Sequence, residues 1–183
     1  MSIRDNTKLA FANALKQALM TKELHKVRVK ELCDLCGAER PTFYYHFKDK
    51  YELISWIYEQ DFKYATQKAG GRYNQYQLET LLLIMRKEQV FYQKAFADES
   101  QNNLYTHIHA TNLLLFEKII KEQLHLNTLD AAQTFTLTFY THAWIGCLYD
   151  WITKKYDISA KEYAALMYDN IQHLNILDIE APL

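Results

Sequence analysis

Apolar residues recur at three- and four-residue intervals along most of the chain, the periodicity of helices with one buried face. Phe11, Ala14, Leu15, Ala18 and Leu19 mark the inner face of a first helix, and Asp5, Asn6 and Thr7 are residue types that cap helix starts. Val29, Leu32, Cys33 and Cys36 fill positions i, i+3, i+4 and i+7 of a short second helix, with Gly37 where a glycine commonly ends one. A third short helix is predicted from Arg40 to Phe47, with Pro41 in its first turn, where the missing N–H costs nothing. Asp49 and Glu52 have capping-box spacing and open a longer helix through Leu53, Trp56, Ile57 and Phe62, fading at Gly70-Gly71. Beyond the diglycine the pattern predicts helices near 75–86, 88–97, 102–125, 129–153 and 160–176. Leu104, Ile108, Leu115 and Ile119 stripe the third of these, the fourth is apolar nearly all round, and Ser159 with Glu162 caps the fifth.

Composition agrees with an all-α fold of about nine helices. Four Gly and two Pro in 183 residues are too few for the turns of a sandwich or barrel, and they leave no glycine loop to cradle phosphates. A hydrophobic content of 49% excludes disorder as a description of the whole chain. No apolar run follows Met1-Ser2-Ile3-Arg4-Asp5, and three Cys without a secretory context fit reduced thiols, so a cytoplasmic location is expected. The nineteen residues Ala131 to Tyr149 carry no formal charge, close to the length of a membrane span. Gln133, Thr134, Thr136, Thr138, Thr141 and His142 would be costly in lipid, so this segment reads as a helix buried in a large protein interface, with no membrane partner. A homodimer through this helix and the one near 160–176 follows, with Gly146 permitting close backbone approach.

Charge divides the chain. Residues 1–50 hold ten Lys/Arg against six Asp/Glu, and residues 51–183 hold eleven against sixteen, so a basic end precedes an acidic body. A basic end suits a polyanion. The second and third helices with Gly37 between them make a helix-turn-helix. At about 100° per residue, Phe43 and Phe47 fall together, while Pro41, Thr42, Tyr45 and His46 share the opposite face. That exposed face suits a DNA groove: Thr42 can bond base edges, and Arg40 at the helix start can reach guanine O6 and N7. Tyr44 and Lys50 flank it with groups suited to phosphate.

Val29-Lys30-Glu31-Leu32 and Thr42-Phe43-Tyr44-Tyr45-His46-Phe47-Lys48-Asp49-Lys50-Tyr51-Glu52-Leu53 together resemble the DNA-binding head of TetR-type bacterial transcriptional regulators. The resemblance implies a homodimer on a palindromic double-stranded operator, with a head over 1–50, a connecting helix over 51–70 and an effector-binding and dimerisation body over 71–183. It also implies that Arg40, Pro41 and Thr42 meet bases, that Lys30 faces the groove, and that Tyr44, His46 and Lys50 hold the backbone. Glu39 and Arg28 stand where the family often has Ser or Thr. Phe139-Tyr140-Thr141-His142-Ala143-Trp144-Ile145-Gly146 and Asp150-Trp151-Ile152 resemble a subgroup that includes regulators of dihydroxyacetone kinase operons, some of which answer to a kinase-like protein subunit instead of a small molecule.

Other signals point to packing. Cys33-Asp34-Leu35-Cys36 is half of a zinc site at most, and both thiols lie on an apolar stripe, so no metal or cofactor is expected. His107 and His109 project about 200° apart on a helix, which precludes joint chelation. Four Ser and no Ser/His/Asp pattern give an enzyme little support. Phe91, Tyr92, Phe96, Tyr105, Phe116, Tyr140 and Trp144 are candidates for an effector cavity, and the same aromatics suit a core or a groove for a regulatory protein.

Overall fold

The computed structural model describes residues 3–100, 103–154 and 157–172. Among them are nine α-helices and no strand, in the order α1 (Ile3–Leu19), α2 (Val29–Cys36), α3 (Arg40–His46), α4 (Lys50–Lys68), α5 (Gln75–Lys87), α6 (Gln89–Phe96), α7 (Leu104–Leu124), α8 (Ala131–Ile152) and α9 (Ala160–Gln172). A 3-10 turn at Leu24–Lys26 joins α1 to α2. Because α1 begins at Ile3, Asp5, Asn6 and Thr7 lie inside its first two turns. The expected end of the last helix, 173–176, lies outside the described residues.

An aromatic cluster holds α1 to α3. The Phe11 ring meets Phe43 edge-on at 5.1 Å and Phe47 at 6.5 Å, and Phe47 meets Trp56 of α4 at 5.9 Å. Each such pair adds about 0.5–1.5 kcal/mol to the burial of its rings. Gly37 ends α2 in the left-handed region, φ 67°, where a Cβ would be strained. The Asp49 carboxylate starts α4 by accepting from the Tyr51 and Glu52 N–H groups at 2.9 Å. The return bond of this cap runs from the Lys48 N–H to the Glu52 carboxylate, one residue earlier than a standard capping box.

α4 then buries Leu53, Ile54, Ile57, Tyr58 and Ala65 between the amino-terminal helices and the body. One continuous core results, running from Phe11 of α1 to Met167 of α9. Gly70 and Gly71, both at positive φ, turn the chain out of α4. On α7 the buried face follows Leu104, Ile108, Asn112, Phe116 and Ile120, at four-residue spacing. Leu115 and Ile119 of the expected stripe are partly buried beside it.

Asp130 and Gln133 start α8 with a full reciprocal capping box, and Ser159 and Glu162 do the same for α9. Trp151 joins three helices: Arg86 of α5 lies over its ring at 4.1 Å, Tyr163 of α9 stacks on it at 5.4 Å, and its indole N–H donates to the Ile158 carbonyl. α8 buries Leu137, Thr141, Ile145, Leu148, Trp151 and Ile152, but its other side is open. Phe135 is 72% exposed and Phe139 60%, and among the described residues nothing beyond the adjoining α8 backbone comes within 4 Å of where a Cβ on Gly146 would stand.

Candidate nucleic-acid interface

The third helix has two unlike sides because the head core uses only Phe43 and Phe47, four residues apart. Both rings are buried. Arg40, Pro41, Tyr44 and Tyr45 are exposed, Tyr45 to 70%, and Thr42 and His46 are half-buried at the edges. Tyr45 and His46 meet edge-on at 5.0 Å, which restricts both rings. Solvent-facing aromatics on a seven-residue helix gain little from folding, so this side of α3 is suited to an external partner. Lys26, Arg28, Lys30 and Lys48 are also exposed, placing positive charge on the elements before and after α3. Neither Arg28 nor Glu39, the N-caps of α2 and α3, makes a side-chain capping bond.

Lys50, an expected phosphate contact, is bonded within the protein. Its ammonium donates to the carbonyls of Leu24 at 2.7 Å, Val27 at 3.1 Å and His25 at 3.3 Å. An ammonium has three N–H donors, so this set leaves none directed at a phosphate. Partial burial lowers its pKa from the ordinary lysine value, against the raising influence of Asp98 and Asp49. Lys50 thus ties the start of α4 to the 3-10 turn that leads into α2. The exposed lysine at this junction is Lys48, which sequence reading passed over because it lies outside the helix periodicity.

The candidate effector aromatics fall into separate environments. Phe91, Tyr92 and Phe96 of α6 are buried in the main core. Phe116 belongs to a second cluster with Ile120 and Leu137, and Trp144 packs edge-on to it at 6.2 Å. Tyr140 is 36% exposed. Tyr105 bonds to Nδ1 of His142 at 3.1 Å, and the His109 and His142 rings lie 4.2 Å apart. Burial first, and then His142, lowers the pKa of His109 from the usual histidine value. His107 turns the other way, onto Tyr58 and Glu59 of α4.

Polar groups in the body went unnoticed in the sequence. Gln77 is fully buried and Asn112 nearly so. Both amide atoms of Gln77, Nδ2 of Asn112, Nε1 of Trp144 and the hydroxyls of Tyr58 and Tyr73 are buried without a hydrogen-bond partner among the described residues. Rings connect several of them: Tyr73 meets Phe116 at 6.1 Å, one helical turn from Asn112, and Phe116 meets Trp144. The available signal was Asn112 itself, a polar residue in register with Leu104, Ile108, Phe116 and Ile120.

Cys33 is buried and Cys36 partly so; burial raises both thiol pKa values, which keeps them protonated. Among the described residues no group of three or more His, Cys, Asp and Glu is placed to hold a metal ion, and no helix is long and apolar enough to cross a membrane.

Residues 13–55 match the family described as bacterial regulatory proteins, tetR family, and residues 74–173 match the one described as transcriptional regulator C-terminal region. The chain is 32% identical over 119 residues to the HTH-type dhaKLM operon transcriptional activator DhaS of Lactococcus lactis subsp. lactis (strain IL1403), an alignment covering 64% of this chain and 62% of that protein. The chain thus spans less than two thirds of the length of this relative. The solved structure of a dihydroxyacetone kinase operon activator DhaS superposes with a TM-score of 0.64 at 23% identity, covering 91% of this chain and 94% of that one. A TetR transcriptional regulator from Rhodococcus sp. RHA1 gives a TM-score of 0.56 at 12% identity, covering 94% and 97%. The two structural likenesses establish a shared fold, and the match over residues 74–173 places the chain in a family: it belongs to the TetR family of bacterial transcriptional regulators.

Proposed function

We propose that this regulator acts as a homodimer on a palindromic operator, with residues 1–50 as the head, 51–70 as the connecting helix and 71–183 as the effector-binding and dimerisation body. The exposed side of α3 carries the reading. Arg40, Pro41 and Thr42 meet bases, Lys30 and Tyr45 face the groove, and Tyr44 and His46 hold phosphates. Lys48 replaces Lys50 as the cation on the backbone, because the Lys50 donors are directed inward. Supporting the dimer, Phe135, Phe139, Ala143 and Cys147 recur at four-residue spacing along the open side of α8.

Effector control is supported by the buried, unpartnered polar groups around Phe116, since each costs about 1–3 kcal/mol until something bonds it. A small neutral ligand with hydroxyl or carbonyl groups would meet Asn112 and Trp144, which narrows the aromatic set to Phe116 and Trp144. A second reading, control by a docked protein, is favoured by apolar side chains exposed away from α8: Tyr76 and Leu83 on α5 and Leu166 on α9. The relative named a transcriptional activator of the dhaKLM operon favours activation as the sign of control.

The test is selection of binding sites from a random double-stranded pool, followed by affinity measurement on the selected and on unrelated DNA. A palindrome should emerge, and Arg40→Ala should cost about 1–3 kcal/mol on it and much less on unrelated DNA. Equal loss on both, or no enriched palindrome, defeats the proposal.

A further inference from the structure

A cleft of about 480 Å³ lies where the amino-terminal helices meet the body, bordering the α3 surface at His46 and apart from the polar groups around Phe116. Its walls include His46 and Phe47 at the end of α3, α4 from Tyr51 to Glu59, and α7 from Asn103 to Ala110. Phe47, Tyr51 and Trp56 give it an aromatic lining. One cation is already seated there: the Lys8 ammonium lies 5.3 Å from the Phe47 ring centre and 5.6 Å from that of Trp56. Such distances are those at which a ring face attracts a cation.

Charge around the lining favours further cations. Asp49, Glu52 and Glu59 face Lys8 and Lys48, three carboxylates against two ammoniums, with His46 and His107 also at the walls. Asp49 is engaged in capping α4 and Glu52 accepts the Lys48 N–H through one oxygen, whereas Glu59 is 53% exposed and, among the described residues, pairs with the His107 imidazole at 3.2 Å. Glu52 and Glu59 are seven residues apart on α4, so they share one face at a separation of about 10 Å along the axis. Trp56 lies between them on that face. Two carboxylates at this spacing with an indole between them match an extended aliphatic chain that carries ammonium groups at its ends.

We propose that this cleft binds a linear aliphatic polyamine, whose terminal ammoniums pair with Glu52 and Glu59, whose methylenes lie on Trp56, and which displaces the Lys8 ammonium from the aromatic lining. Since α3, α4 and α7 all contribute walls, the bound chain fastens the head to the body at the base of the connecting helix. This site shares His46 and Lys48 with the operator-facing side and is separate from the residues around Phe116.

Titration calorimetry of the full chain with spermidine, without DNA and at physiological ionic strength, tests it. The expected result is one spermidine per protomer, weakened about tenfold by Glu59→Gln, the loss of one charge-assisted hydrogen bond. Lys8→Ala should tighten binding several-fold by removing the internal competitor, and butylamine, whose single ammonium can pair with only one carboxylate, should bind far more weakly. Glu59 is exposed, so the glutamine variant should keep the fold, and its melting curve verifies that. Equal affinity of wild type and Glu59→Gln, equal affinity for butylamine and spermidine, no gain from Lys8→Ala, or full displacement of spermidine by magnesium at matched charge each overturns the proposal.

Discussion

Replacing Lys50 separates two physical roles that a sequence motif cannot distinguish. The ammonium makes three bonds, to the carbonyls of Leu24, His25 and Val27, across a sequence separation of more than twenty residues. A bond to a charged group contributes about 1.5–3 kcal/mol, but desolvation of the ammonium offsets part of three such bonds, as its lowered pKa indicates. A net loss of about 2 kcal/mol for Lys50→Met is therefore expected, since methionine keeps the aliphatic stem and removes only the donors. For a chain of this length that corresponds to a fall of about 4–8 °C in Tm. Thermal and urea unfolding supply the stability, and operator affinity across a salt series supplies the electrostatics. Lys50→Met should leave the salt slope unchanged, whereas Lys48→Met should flatten it by about one unit per subunit and barely move Tm. If Lys50→Met melts like the wild type and flattens the salt slope, the three carbonyl bonds give way to phosphate on DNA and the structural role fails.

Phe139→Glu places a charge on the open side of α8, where Phe139 is 60% exposed in the protomer; sedimentation should show monomers at micromolar concentration with the helical content intact, and an unchanged dimer refutes the α8 interface. Asn112→Leu replaces a buried amide that has an unpartnered Nδ2 with an apolar side chain of similar size; stability should rise by about 1–3 kcal/mol while effector response is lost, and a fall in stability counts against a role reserved for a ligand. His109 holds its proton less readily in the folded chain than in the unfolded one, because burial and then His142 lower its pKa. Its contribution is thus fully present above the ordinary histidine value of about 6.5 and declines as pH falls from there toward the folded value. His109→Phe should flatten the decline in urea midpoint between about pH 7.5 and pH 5.5, and parallel curves for the two proteins refute this origin.

The readable features share one property: each is settled by neighbours in the chain. Gly37 ends α2 because the backbone there needs positive φ, and Phe43 and Phe47 turn inward because α3 has one apolar edge. The Asp49, Asn74, Asn103, Asp130 and Ser159 caps act within three residues, and two of these starts were legible as capping boxes. What escaped depends on partners far along the chain. The Lys50 motif looks the same whether its ammonium meets phosphate or the carbonyls of a turn some twenty-five residues earlier. The expected stripe on α7 continues from Leu104 and Ile108 through Leu115 and Ile119, whereas the buried face passes through Asn112 to Phe116 and Ile120. The aromatics chosen for an effector cavity were grouped by chemical type, and packing divided them between the core, the Phe116 cluster and the surface. α8 shows both cases in one helix. Its lack of charge was plain in the sequence, but which side stays open depends on where α6, α7 and α9 pack, and that open side, with Phe135 and Phe139 uncovered, is the part that bears on assembly.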